Sequence, residues 1–143
     1  MTNTMTRSER LERWADVLEQ AAPAVLQPFR DVEFLAPGMR AELRQANSPL
    51  EIAYRDPVLR REGLDGARFG AGARFFGLSS YQAHRLLCGC HYLGKMRADE
   101  VARRIRAIAW RRRLRERLTA GNPLPAFARW LAGYFAPTAQ QGG

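Results

Sequence analysis

Every histidine and cysteine of the chain lies between positions 84 and 91: His84, Cys88, Cys90 and His91. Imidazole nitrogen and thiolate sulfur are the donors that zinc prefers. On one continuous helix His84, Cys88 and His91 share a side at i, i+4 and i+7, while Cys90 points elsewhere. Neighbours at i and i+4 can hold one ion, but the step from i to i+7 covers about 10 Å of helix rise, so a closed site needs a distortion or a second chain. His84, Cys88 and His91 are therefore the candidate metal ligands. Buried free thiols and core histidines account for the same residues without a metal. A thiol nucleophile activated by His91 lacks a nearby acid or amide to orient the imidazole. No cofactor is expected.

The segment Ala73 to Leu87 reads Ala-Arg-Phe-Phe-Gly-Leu-Ser-Ser-Tyr-Gln-Ala-His-Arg-Leu-Leu. A small residue precedes a turn glycine by four, and apolar positions follow that glycine by one, six and nine: Ala73, Gly77, Leu78, Ala83 and Leu86. This spacing resembles the helix-turn-helix of bacterial DNA-binding regulators. The small residue lets two helices approach, and the later apolar residues fasten the second to the first. The resemblance implies that Ser80, Tyr81, Gln82 and Arg85 face a major groove, Gln82 suiting adenine and Arg85 guanine. It covers under a sixth of the chain. Helical periodicity raises an objection. With Ala83, Leu86, Leu87 and Cys90 turned inward, Tyr81, Arg85, Cys88 and Tyr92 occupy the outer side, an aromatic and thiol face that fits a covered helix better than a solvated recognition helix.

A third cluster is the arginine run Arg111, Arg112 and Arg113 beside Trp110. Guanidinium groups grip phosphate or carboxylate bidentately, and an indole can stack on a base. Val101, Ile105 and Ile108 define one helical face, but the same period then reaches Arg112, whereas Trp110, Leu114 and Leu118 lie about half a turn away. That switch predicts a kink over 109–113, or a second half that leaves the first core, with the three arginines exposed. A solvated cationic face is the plainer account.

No phosphate-binding glycine loop, G-x-S-x-G elbow, H-E-x-x-H pair or EF-hand spacing is present, and no catalytic residue stands out. Asp56, Glu62 and Asp65 read as caps and surface charge.

The elements that must position these groups read as helices. Thr6 and Glu9 form a capping box for a helix to about Gln20, with Leu11, Trp14, Ala15 and Leu18 on one face. A connector follows, with a short extended piece at Val32 and Phe34. Pro37 starts a helix running to about Ala46. Ser48–Pro49 and Asp56–Pro57 start two short helices meeting at Asp56. Gly63, Gly66, Gly70 and Gly72 predict a loose stretch before a short helix over 73–76. Ser79 caps a helix running to about Tyr92 and ending at Gly94. Asp99 and Glu100 open a long arginine-rich helix to about Leu118. Pro125 begins an amphipathic last helix carrying Trp130, Tyr134 and Phe135, and Pro137 stops it. The expected fold is an all-α compact bundle of about six or seven short-to-medium helices. It forms one domain over residues 1–137, with a frayed tail over 138–143.

At 143 residues with 46% hydrophobic content the chain can bury a core unaided. No stretch is long and apolar enough for a membrane span, and two cysteines do not make a disulfide framework, so a cytoplasmic location is expected. The formal charge of +9 includes a single lysine, Lys95. Residues 97–143 hold ten arginines against three acids, so the positive field is concentrated there. Three functional readings follow. The first is a non-enzymatic adaptor or assembly protein that binds a protein partner or a second copy through Tyr81, Arg85, Tyr92, Trp110, Arg111, Arg112, Arg113, Trp130, Tyr134 and Phe135. The alternative is a nucleic-acid-binding regulator using Ser80, Tyr81, Gln82, Arg85 and the arginine run. A second alternative is a metal or redox protein using the His84, Cys88 and His91 cluster.

Overall fold

The structure, a computed structural model, describes residues 4–119. Of these residues 66% are helical, in seven α-helices, with only a two-stranded minor sheet. The order is α1 (Arg7–Ala21), β1 (Val25–Leu26), a 3-10 turn (Val32–Phe34), α2 (Pro37–Ala41), α3 (Pro49–Arg55), α4 (Pro57–Arg61), α5 (Phe69–Phe76), α6 (Ser80–Leu87), a second 3-10 turn (Gly89–His91), β2 (Met96–Arg97) and α7 (Ala98–Thr119). The expected last helix, with Trp130, Tyr134 and Phe135, lies outside the described residues.

Local cap chemistry sets most helix starts. Thr6 Oγ1 accepts from Glu9 N–H while the Glu9 carboxylate accepts from Thr6 N–H, closing the capping box. Ser48 and Asp56 each accept from the N–H three residues on, ahead of first-turn prolines. The Glu51 carboxylate accepts from Asn47 N–H instead of completing a box with Ser48. Ser79 and Gln82 form a second reciprocal box, and Gly77 turns the chain in the left-handed region at φ 65°.

The core is organised on Trp14 of α1. Its ring stacks on Phe76 at 4.1 Å and its Nε1–H donates to the Pro49 carbonyl at 2.9 Å, tying α1 to α5 and α3. Leu11, Leu18, Leu50, Leu59 and Ile105 are fully buried around it. α7 is held to α1 by Arg106, whose guanidinium donates to Glu12, Asp16 and Glu19 along one face of α1.

Four expectations need correction. Val32 and Phe34 form a 3-10 turn, and the extended piece is Val25–Leu26, paired antiparallel with Met96–Arg97, seventy positions away. α2 stops at Ala41, because Leu43 must leave the helix for its carbonyl to accept from Phe69 N–H. Gly70 and Gly72 lie inside α5, at close helix contacts. A Cβ on Gly70 would sit 2.6 Å from Ala41 Cβ, and one on Gly72 would sit 2.4 Å from Leu50 Cδ2. Finally, α6 ends at Leu87, not near Tyr92.

The structure has two compact units, one of residues 1–110 and one beginning at Arg111. α7 runs without a break through the expected kink at 109–113, and the division falls where its apolar stripe changes sides.

Two measurements test this packing. In an ordinary helix interior Gly→Ala stabilises by about 0.5–1 kcal/mol. Gly70→Ala is expected instead to destabilise by about 1–3 kcal/mol in urea melts, because backbone atoms of Ala41 must move. The Arg13 guanidinium, bonded bidentately to the 5% exposed Asp56 side chain, holds that carboxyl below the usual range. A depressed folded-state pKa gives stability that is complete above the unfolded value of about 3.9 and disappears as pH falls through the folded value. Asp56→Asn keeps a good cap, so it should cost about 1–2 kcal/mol at neutral pH and flatten that acid-side loss.

Candidate functional site

The end of α6 builds the site. An α-helix leaves its last four carbonyls without partners inside the helix. Here each is answered. His84 O accepts from Cys88 N–H (3.1 Å), Leu87 O from Phe29 N–H (2.9 Å), Leu86 O from the Tyr92 hydroxyl (2.7 Å) and Arg85 O from Arg104 Nη1 (3.2 Å). Arg104 also donates through Nη2 to the His91 carbonyl at 2.8 Å and to Glu100, and its guanidinium lies 3.9 Å from the Tyr92 ring centre. Cys88 becomes an extended cap residue, and the chain folds back through the 3-10 turn Gly89–His91.

This ending rearranges the expected metal ligands. Cys88 is buried away from the histidines, and burial pushes its thiol up to about 12. Cys90, which a continuous helix would have sent elsewhere, takes its place. One donor atom each from His84, Cys90 and His91 lies within 4.8 Å of the others. His84 Nδ1 and His91 Nε2 are 2.7 Å apart, one donating and the other accepting. His84 Nε2 is buried without a hydrogen-bond partner among the described residues. Burial, then the neighbouring His84, Arg85 and Arg104, lowers the pKa of His91 below its ordinary value. The signal overlooked in the sequence is Gly89, which breaks the predicted helix between the two cysteines.

The partner-binding face also changes. Tyr92 is buried beneath Arg104 rather than on the outer side of α6, so the expected near-continuous apolar face does not exist. Tyr81 and Arg85 are exposed, and Arg85 Nη1 donates to the Tyr81 hydroxyl. Ser80 is exposed, whereas Gln82 is half-buried and spent in the capping box. Trp110, Arg111 and Arg113 are exposed, and Arg112 is half-buried.

A cleft of about 490 Å³ lies between the first 3-10 turn with α2 and the corner of α5 with α6. Val32, Pro37, Phe69, Ala73, Leu78 and Ala83 form its apolar lining, with Glu33, Arg40, Ser80, Tyr81 and His84 among its polar contributors. Arg40 closes one wall, donating to the carbonyls of Val32 and Leu35 at 3.0 and 3.1 Å. A smaller cleft of about 280 Å³ contains Cys88 and Cys90, and Glu33 lines both. The residues that make these clefts are distant in sequence, so no local pattern marks them.

Tyr92→Phe leaves the Leu86 carbonyl buried and unsatisfied and should cost about 1–3 kcal/mol. Arg104→Lys should cost a similar amount, because an ammonium cannot span two carbonyls and stack on a ring together. Chemical denaturation checks both; a neutral result for the pair contradicts this account of the α6 end. No protein-family model, curated protein or solved structure matches the chain.

Proposed function

We propose that the protein is a non-enzymatic binding module that docks a partner protein by seating an apolar anchor in the cleft between α2 and the α5–α6 corner. The observation that carries this reading is the apolar surface outside the cleft. Tyr81 lines it, and Phe34 and Met39 adjoin its lining residues Glu33 and Arg40; they are 66, 81 and 63% exposed. A small ligand fits a cavity of this size but leaves those side chains in water. A polypeptide covers them as it fills the cleft, and aromatic residues and Met are the types enriched at such contacts.

Charge adds support. Arg13, Arg44, Arg55, Arg68, Arg97, Arg104 and Arg106 face carboxylates of this chain. Arg10 and Arg40 are directed at backbone carbonyls. The arginine count of residues 1–110 therefore overstates the unpaired guanidiniums that a phosphate backbone would meet.

Nucleic-acid binding is the second reading, favoured by one observation: Ser80, Tyr81 and Arg85 lie exposed on α6 after a sharp glycine turn.

Peptide-display selection on the full chain should recover ligands carrying a large apolar residue, with fluorescence anisotropy giving a micromolar Kd. Tyr81→Asp and Phe34→Asp should each weaken binding about tenfold or more, equivalent to about 1.4 kcal/mol. Selected peptides indifferent to both substitutions contradict the cleft. Sedimentation shows whether a second copy is the natural occupant. Oligonucleotide binding with a steep salt dependence, lost on replacing Arg111, Arg112 and Arg113 by alanine, favours the second reading.

A further inference from the structure

The geometry points to a zinc(II) site made by His84 Nδ1, Cys90 Sγ and His91 Nε2, with a fourth position left for water or an exogenous donor. This goes beyond the docking reading and does not depend on it.

Three observations carry it. First, two imidazoles and a thiol, from different turns of the chain, bring their donor atoms within 4.8 Å of one another. A tetrahedral zinc with Zn–N of about 2.0–2.1 Å and Zn–S of about 2.3 Å holds its nitrogens roughly 3.4 Å apart and each nitrogen roughly 3.6 Å from sulfur. Opening the 2.7 Å imidazole pair therefore takes roughly 0.7 Å and drawing in the thiol at most roughly 1.2 Å, which side-chain rotation supplies at the exposed Cys90.

Second, the frame is held before any metal arrives. His84 lies in the last turn of α6, whose carbonyls are all engaged, and the carbonyl of His91 is fixed by Arg104. Ligands on a fixed backbone lose less freedom on binding.

Third, negative groups offset the local cations. Arg85 and Arg104 lie near His91, and the Glu33 carboxylate, joined by the Cys90 thiolate once zinc is bound, opposes them.

On binding, zinc replaces the shared imidazole proton as the link between the rings: the neutral donor ring shifts that proton, through solvent, to its other nitrogen, the acceptor ring keeps the proton already on its other nitrogen, and one proton leaves from the Cys90 thiol to solvent.

The test uses the full chain purified without an affinity tag, stripped with chelator and titrated with Zn²⁺ against a chromophoric competitor, and in parallel with Co²⁺. One equivalent should bind with micromolar or tighter affinity, and cobalt should show strong visible bands of a four-coordinate ion with a thiolate charge-transfer band in the near ultraviolet. Cys90→Ser should abolish the charge-transfer band and weaken zinc binding roughly tenfold or more. His91→Asn, a second variant at a half-exposed position, should weaken it similarly. Cys88→Ser should bind as the parent does. Substoichiometric binding, an octahedral cobalt spectrum, or loss of binding in Cys88→Ser but not in Cys90→Ser overturns the assignment. Circular-dichroism melts of each variant establish that the comparison is between folded proteins.

Discussion

A helix that stops inside a protein must find acceptors' partners for its last carbonyls, and the final turn of α6 finds them in four separate places. The backbone of Cys88, the backbone of Phe29, the hydroxyl of Tyr92 and the guanidinium of Arg104 each take one. Unmade, each such bond would cost about 1–3 kcal/mol in a buried setting. Together they fix where the helix ends and in which direction the next residues leave. Cys88 turns into the core, Cys90 turns out, and His91 returns to meet His84. Cys88, Gly89 and Cys90, which leave that end, line the smaller cleft, and His84 of the last turn lines the larger one.

Arginine is the residue this architecture uses for such work. Arg10 reaches the carbonyls of Phe75 and Glu62, Arg40 those of Val32 and Leu35, and Arg104 those of Arg85 and His91. A planar fork with five donors can bridge two carbonyls while its face lies on a ring, as Arg10 does on Phe75 and Arg104 on Tyr92. An ammonium offers no such fork. Short helices joined by irregular segments leave many carbonyls near the surface, so a chain of this shape has use for many guanidiniums. Its basic composition is thus in part an internal structural device rather than a field directed at a partner.

What could be read from the sequence was local. Thr6 with Glu9, Ser48 with Pro49, Asp56 with Pro57, and Gly77 with Ser79 each act within a few residues, and each starts or ends a helix as expected. The failures were all long-range. Two residues of strand at Val25–Leu26 carry no alternation to recognise, and α2 to α6 separate them in the chain from their mate. Gly70 and Gly72 resemble loop glycines until the helices they admit, α2 and α3, are in place. The end of α6 is decided by Phe29 and Arg104, far off in the chain, although Gly89 marks it weakly. Because that end was misplaced, Cys88 was chosen over Cys90 and Tyr92 was assigned to the surface. The cleft has no sequence signature, since its walls come from segments that meet only on folding.

The direction in which the chain leaves α6 is the claim on which the rest stands, and thiol accessibility measures it directly. In the native protein a charged thiol reagent should label one cysteine, with Cys88→Ser reacting at the parental rate and Cys90→Ser unreactive until denaturant is added. Rapid native labelling of Cys88, as expected if α6 ran on to Tyr92, would contradict the account.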